Sequence, residues 1–350
     1  MDKKIKFLAK KGKTYLGNLR DLWAIEKNPR KGLMSYEWAA MAYTLFTLLL
    51  IFFTYTKLQH PEALIAGRLR IVAMTVALWA VYRLVPCRLT MFARVVAQLA
   101  LLAWWDPDTY ELNRVLPNLD HLFASWEQQL VGCQPALLFS QLMPQAWFSE
   151  LMNLGYASYY PLIVAVMLYY FAWRYEEFER ATLVLLGSFF AYYVIFDVLP
   201  VVGPQYYYPA IGLDQVAAGV FPNIGDYFNY HADILPSPGW SDGFFYQMVE
   251  SAHDAGERPT AAFPSSHVGI TVVILLLAWH AQSRHQWLFW AIVPFFVLMC
   301  FATVYIQAHY LIDALAGLLS GIAFYVAFMF ISSLIPSPKP NRRAKAGRRA

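Results

Sequence analysis

The residues of this chain best suited to chemistry stand in two short stretches, Phe263-Pro264-Ser265-Ser266-His267 and His309-Tyr310-Leu311-Ile312-Asp313. Each heads a long apolar run. In the first, Pro264 fits the first turn of a helix, where a missing N–H costs nothing. The N–H groups of Ser265, Ser266 and His267 then lack intrahelical acceptors. Free donors, two hydroxyls and the positive end of a helix make an anion site, for which phosphate is the natural guest. His267 stands beside it and can give a proton to a leaving oxygen. In the second stretch, His309 and Asp313 are four residues apart and share one helix face. A carboxylate bonded to one imidazole nitrogen fixes the tautomer and leaves the other nitrogen bare as a nucleophile. A phosphoryl group is the electrophile that suits this set, so the pattern points to a phosphohistidine intermediate. Taken singly, the signals are bland. A histidine at a helix end is ordinarily interfacial, and HxxxD alone is ordinarily a structural pair or half a metal site. A metal would need further ligands, and His231, His253 and Asp254 are at hand. Pro-Ser-Ser-His suits an anion better than a cation, so no metal or other cofactor is expected.

The elements that position these residues are membrane helices. Of 350 residues, 59% are hydrophobic, 17% aromatic and 14% charged, where an ordinary soluble domain is about a quarter charged. Eight apolar runs, 36–55, 69–85, 89–105, 156–172, 181–199, 264–280, 287–306 and 309–335, read as spans. The predicted fold class is therefore an all-α polytopic membrane bundle. His267 and His309 are 42 residues apart, and that separation makes roughly 63 Å of helix, about two crossings of a ~30 Å hydrocarbon core. A chain that crosses, turns near Arg284-His285 and crosses back brings both imidazoles to one face. The charge bias agrees. Basic residues crowd the two ends and the short loops at Arg83, Arg88, Arg174, Arg180 and Arg284, whereas loop 200–263 sets seven acidic residues against Arg258. Both termini are then cytoplasmic, and both histidines lie on the outer face.

The organisation follows. Residues 1–35 are a basic cytoplasmic segment, read either as an interfacial helix or as a solvated tail. Residues 36–105 form N-terminal spans, and 106–155 form helices along the outer interface. Residues 156–335 form the catalytic core with outer loop 200–263, and 336–350 are a basic tail. A leader this long exceeds an ordinary signal n-region, so no cleavable signal is expected. Cys87, Cys133 and Cys300 show no paired spacing, which argues against a disulfide framework or a zinc cage. No basic stripe interleaved with stacking aromatics suggests nucleic acid. Tyr206, Tyr207 and Tyr208 read as headgroup-pocket liners or as an interfacial belt. Asp197 reads as a helix-pairing group or a sugar-hydroxyl partner.

Pro-Ser-Ser-His followed by an apolar helix, then HxxxDxxxG (His309, Asp313, Gly317) opening the last helix, resembles the type-2 phosphatidic acid phosphatase superfamily over roughly residues 156–335. The resemblance implies a six-helix core with His309 as nucleophile, Asp313 as its partner, His267 as acid, Ser265 as a phosphate ligand and no metal. The phosphatases carry Ser-Arg seven and six residues before the nucleophile, where this chain has Ala302 and Thr303. They also carry a Lys- and Arg-bearing stretch, whose place is taken here by Pro200–Tyr207 with no cation. That pattern, with Thr303-Val304-Tyr305 before His309, is similar to the inositol phosphorylceramide synthase branch. A phosphate monoester is nearly a dianion and calls for guanidinium forks, whereas a diester carries one charge and needs fewer.

The sequence thus predicts a lipid phosphotransferase acting on a phospholipid donor and a lipid hydroxyl acceptor. Ser265, Ser266, Gln205, Tyr206, Tyr305 and Arg258 are its candidate substrate-binding residues. With water as acceptor, the same set describes a lipid phosphate or diphosphate phosphatase. A non-catalytic lipid-binding protein built on the same core is the third reading. The absence of a eukaryotic sorting signal points to a bacterial inner membrane with the site on the periplasmic side.

Overall fold

The computed structural model describes residues 20–27, 29–254, 258–281 and 286–335, and every regular element among them is helical. Those of eight residues or more are, in order, α1 (Ser35–Thr54), α2 (Pro61–Leu84), α3 (Arg88–Ala100), α4 (Leu102–Asn113), α5 (Asp120–Val131), α6 (Pro135–Leu142), α7 (Ala146–Ala157) and α8 (Tyr159–Trp173). Then come α9 (Tyr175–Val198), α10 (Pro204–Ile211), α11 (Phe244–Asp254), α12 (Ser266–Ala281), α13 (Trp287–Tyr305) and α14 (Leu311–Leu334). Within hydrocarbon every backbone N–H and C=O must be satisfied inside the chain, which is why the apolar runs fold as helices. Pro61, Pro135 and Pro204 open α2, α6 and α10, where their missing N–H groups leave no bond unmade.

Five helices are long and apolar enough to cross a membrane: α1 with its 3₁₀ extension, α2, α9, α13 and α14. The pair α7–α8, bent by 44° at its break, makes a sixth. Two of the eight expected runs fall short of that standard, each for a visible reason. Run 89–105 breaks between α3 and α4 at Leu101. Run 264–280 yields α12, apolar but only 16 residues long. The turn expected at 284–285 and the basic segments at 1–19 and 336–350 lie outside the described residues.

α9 is the central post. Of its most apolar window, 78% is buried, against 17% in α2 and in α14, which face outward. α1, α4, α8, α12 and α14 pack around it. The charges that interrupt the N-terminal runs are buried in pairs. Arg68 on α2 reaches Asp108 on α4 with a two-pronged contact (Nη1 to Oδ1 2.9 Å) and sends Nε to the Thr47 hydroxyl of α1. Arg94 on α3 grips both carboxylate oxygens of Glu37 on α1. Charge at membrane depth is tolerated when paired in this way. Asp197, at the end of α9, accepts the Tyr43 hydroxyl at 3.0 Å, so its bond joins α9 to α1.

Candidate active site

Three pieces of irregular backbone meet beside α5. They are 200–203 between α9 and α10, 261–265 before α12, and 306–310 between α13 and α14. The His309 N–H reaches back to the Thr303 carbonyl at 3.0 Å, folding 306–310 into a tight reversal over the end of α13. Ala262 N–H bonds the Val201 carbonyl, and Gln205 N–H bonds the Gln307 carbonyl, each at 2.9 Å. Gly203 has φ +90, and a Cβ there would lie 2.6 Å from the Ala308 carbonyl oxygen. Only glycine allows that backbone conformation and that approach.

α12 and α14 are joined by their main chains. Ser265 N–H donates to the Asp313 carbonyl at 3.0 Å. The seam below is made of glycines: a Cβ on Gly317 would lie 2.5 Å from the Ser265 carbonyl oxygen, and one on Gly321 2.5 Å from that of Gly269. Gly317-xxx-Gly321 is a small-residue spacing that lets two membrane helices touch backbone to backbone. It also gives the last glycine of HxxxDxxxG a physical reason.

These ties bring His267 and His309 together. Their ring centroids are 5.7 Å apart, with the rings at 61°. His267 is held between Tyr156 (4.6 Å, 25°) and Tyr159 (4.5 Å, 42°), from the two arms of the bent α7–α8 pair. His309 is 4% exposed, so its environment is set by the protein.

Four expectations need correction. Asp313 does not hydrogen-bond His309: its Oδ2 lies 3.8 Å from Nδ1 and accepts the Tyr310 N–H at 2.9 Å. Nδ1 instead lies 2.8 Å from the Ala262 carbonyl oxygen. A carbonyl only accepts, so the proton sits on Nδ1 and the lone pair on Nε2. Asp313 is the third residue of α14, where its carboxylate serves a helix-start N–H. Second, α12 begins at Ser266, so Pro264 stands in the turn before the helix, behind a cis Phe263–Pro264 bond. Third, the Ser265 N–H is committed to Asp313, and its buried hydroxyl accepts the Val268 N–H at 3.4 Å as a helix cap. Ser266, on the first turn, pairs with the Tyr159 hydroxyl. Fourth, several candidate binding residues serve the scaffold. Tyr305 donates to the Met143 carbonyl at 3.1 Å, amid Phe139 and Phe148. Tyr207 donates to the Pro222 carbonyl (2.7 Å) and Tyr208 to Gln134 (2.8 Å). Gln205 joins Leu235 through side chain and main chain, and Tyr206 is buried. Arg258 is exposed, with its charge near enough to act on the Tyr110 hydroxyl. His231 stacks on Tyr227, and the side chains of His253 and Asp254 lie outside the described residues. No group of three or more His, Cys, Asp or Glu that could hold a metal ion is found among the described residues.

Two acids that sequence reasoning missed support the site from α5. Asp120 is fully buried and takes four donors: Val202 N–H (2.7 Å), Gly203 N–H (2.9 Å), the Asn118 amide (2.7 Å) and the Tyr310 hydroxyl (3.0 Å). It thereby fixes segment 200–205 to the residue next to His309. Burial pushes its carboxyl up, and the four hydrogen bonds pull the other way. Glu127, seven residues on, accepts the Ile312 N–H at 3.2 Å at the free end of α14. Its carboxyl is pushed up to about 7, first by burial and then by the nearby Asp313 charge. A sequence signal existed: acids at i and i+7 lie on one helix face, the face that carries Phe123 and Ala124 into the core.

The sign of the Glu127 shift has a consequence. Between the ordinary carboxyl value and about 7, the folded protein holds a proton that the unfolded chain has released. Stability therefore falls as pH rises through that window. Glu127→Gln removes this part of the slope, and the gain over wild type above pH 7 is up to about 3 kcal/mol. Thermal midpoints in detergent at pH 5 and pH 8 check this; equal pH slopes in both proteins would count against it.

No curated protein and no solved structure matches the chain. The family model described as the PAP2 superfamily matches residues 121–327, which hold Glu127, both histidines and Asp313. That span is more than half of the chain, so the protein belongs to the PAP2 superfamily and is a membrane-embedded lipid enzyme of the phosphatase or phosphotransferase type.

Proposed function

We propose that the chain is a lipid phosphotransferase, similar to inositol phosphorylceramide synthase. It moves a phospho-headgroup from a phospholipid to a lipid hydroxyl through phosphohistidine. The observation that carries this reading is the Nδ1 contact of His309 with the Ala262 carbonyl at 2.8 Å. With the proton on Nδ1, Nε2 carries the lone pair of the ring and is the nucleophile. Nε2 attacks phosphorus, the P–O bond to the diacylglycerol oxygen breaks, and protonated His267 gives its proton to that oxygen. Neutral His267 then takes the proton of the acceptor hydroxyl, whose oxygen attacks phosphorus. The P–N bond breaks and both histidines return to their starting states. His267 sits between two phenol rings, which hold the imidazole beside His309.

A diester donor fits the charge of the surroundings. The positions seven and six before His309 are Ala302 and Thr303, both fully buried and neutral. Segment 200–207 brings backbone and tyrosines, not guanidinium, to the same place. Asp313 faces the imidazole across 3.8 Å and stabilises the positive charge that His309 carries once phosphorylated. By the charge bias of the loops, the site opens on the outer face and both termini are cytoplasmic.

The test is acid-labile labelling. A donor labelled in its headgroup phosphate is expected to label wild type on His309, and a lipid alcohol is expected to discharge the label into a new lipid. Label that leaves only as free headgroup phosphate, with no lipid product, would decide for the phosphatase with water as acceptor.

A further inference from the structure

The carbonyl that fixes the His309 ring belongs to a strained turn. Ala262 accepts the Nδ1 proton of His309 at 2.8 Å and gives its own N–H to the Val201 carbonyl at 2.9 Å. The residue before it, Ala261, has φ +68, and Gln307, two residues before His309, has φ +67. Neither is glycine, so each side of the contact holds a backbone conformation that a Cβ disfavours. Such conformations persist only where the surroundings over-determine them. At Gln307 the hold is local: its N–H reaches the Val304 carbonyl at 3.1 Å, and its carbonyl takes the Gln205 N–H at 2.9 Å. At Ala261 the hold comes from α4. Asn113, buried near the end of that helix, donates its amide twice. One bond goes to the Phe196 carbonyl near the end of α9 (2.9 Å), the other to the hydroxyl of Thr260, next to Ala261 (2.7 Å). Thr109, one turn before Asn113, gives its proton to the Asp106 carbonyl (2.7 Å) and faces the Thr260 hydroxyl at 3.4 Å. Asn113 and Thr109 both stand outside the family-matched residues 121–327.

Resting on the reading of His309 as nucleophile, we infer that Asn113 and Thr260 are positioning residues: a clamp from α4 that holds Ala261 in its left-handed turn and so aims the Ala262 carbonyl at His309. The clamp acts through the backbone of 260–262. Without it, Ala261 relaxes toward the negative φ that a residue with a Cβ prefers. The Ala262 carbonyl, one residue on, then leaves Nδ1. Asp313 is a poor replacement, because its Oδ2 stands 3.8 Å from Nδ1 and already accepts the Tyr310 N–H. With no acceptor to hold it on Nδ1, the proton resides on Nε2 in part of the molecules, and those molecules lose the nucleophilic lone pair. The ring also loses the bond that orients it. Both effects fall on the chemical step and leave lipid binding alone, so they belong in kcat and not in KM. Helices from the N-terminal part of the chain thereby set the protonation of a ring carried near its C-terminal end.

The test reads the tautomer directly, by NMR of the full-length protein in detergent with isotope-labelled histidine nitrogens. His309 is assigned by the signals that vanish in His309→Gln. Wild type is expected to show the proton on Nδ1. Thr260→Val keeps the side-chain shape and removes the acceptor for Asn113, and Asn113→Ala withdraws the donor from the other side. Each should show both tautomers. Each should also lower kcat on a phospholipid labelled in its headgroup phosphate by about 10²-fold, the scale of a ~1 Å misplacement, with KM within about twofold. Thr260→Ser retains the hydroxyl and should stay within about threefold of wild type. Adding Ala261→Gly to Thr260→Val should return the proton to Nδ1 and recover at least about tenfold in kcat, because glycine holds a positive φ without a clamp. An unchanged tautomer in Thr260→Val and Asn113→Ala would overturn the inference, as would a kcat loss that Ala261→Gly does not relieve. The tautomer is read without turnover. A shifted tautomer in Thr260→Val beside full activity in His309→Gln would sink the nucleophile reading and leave the clamp standing. Label on His309 with an unmoved tautomer in both variants would sink the clamp alone.

Discussion

His309→Gln is expected to lower turnover of a labelled phospholipid by at least about 10⁴-fold, because removing the nucleophile of a covalent pathway closes the pathway. The glutamine amide can still donate to the Ala262 carbonyl, so the thermal midpoint should stay where it is and the loss should be one of chemistry alone. Asp313→Asn sets the scale for comparison. Asn keeps an acceptor for the Tyr310 N–H and loses only the charge 3.8 Å from the imidazole. The expected loss is about 10²-fold, carried by kcat, as fits a charge that assists without a direct hydrogen bond. An Asp313→Asn loss equal to that of His309→Gln would mean that the carboxylate, and not the Ala262 carbonyl, sets the imidazole in the working enzyme.

Gly317→Val should be the most damaging change outside the histidine pair. The added Cβ meets the Ser265 carbonyl oxygen at 2.5 Å, and that atom is main chain and cannot rotate away. α12 must move off α14, breaking the Ser265–Asp313 bond and carrying His267 away from His309. Overpacking of this kind costs about 2–3 kcal/mol, and a displacement near 1 Å at a reacting pair costs about 10²-fold in rate. Gly187→Ala is the control. It also meets an occupied space, at 2.4 Å, but the atom is on the Phe328 ring, a side chain that can shift. Thermal midpoints and kcat for both variants separate the cases. Equal kcat losses at equal destabilisation would remove the special standing of Gly317.

Much of this was legible in the residues. The long apolar runs gave the helical membrane class, because a bilayer admits few alternatives for a backbone in hydrocarbon. The separation of His267 and His309 gave their meeting at one face, because helix rise is fixed. What escaped was local. Nothing in the spelling of His309–Asp313 tells that a carbonyl forty-seven residues earlier takes the Nδ1 proton. Backbone acceptors have no letter in a sequence, so an i,i+4 carboxylate is the partner that reading offers first. A cap and an anion site share the same spelling, Ser at the start of a helix, and in the structure the Ser265 hydroxyl accepts the Val268 N–H. Asp120 and Glu127 stood in plain view in a segment read only for its apolar face. Their partners, at Val202, Gly203, Tyr310 and Ile312, are so distant along the chain that no window holds both ends. Tyr305 and Tyr207 look like site residues by position, and they are bonded into the scaffold instead.

The seam of glycines between α12 and α14 also bears on how a substrate gets in. Two backbones in contact leave no slack for sliding or parting, so that side of the molecule behaves as a fixed anvil. Whatever breathing the catalytic cycle requires must come from elsewhere, as at the bent junction at Ser158 that joins α7 to α8. A cross-link stapling the anvil side should leave turnover untouched, whereas one stapling the α8 side to its neighbours should stall it.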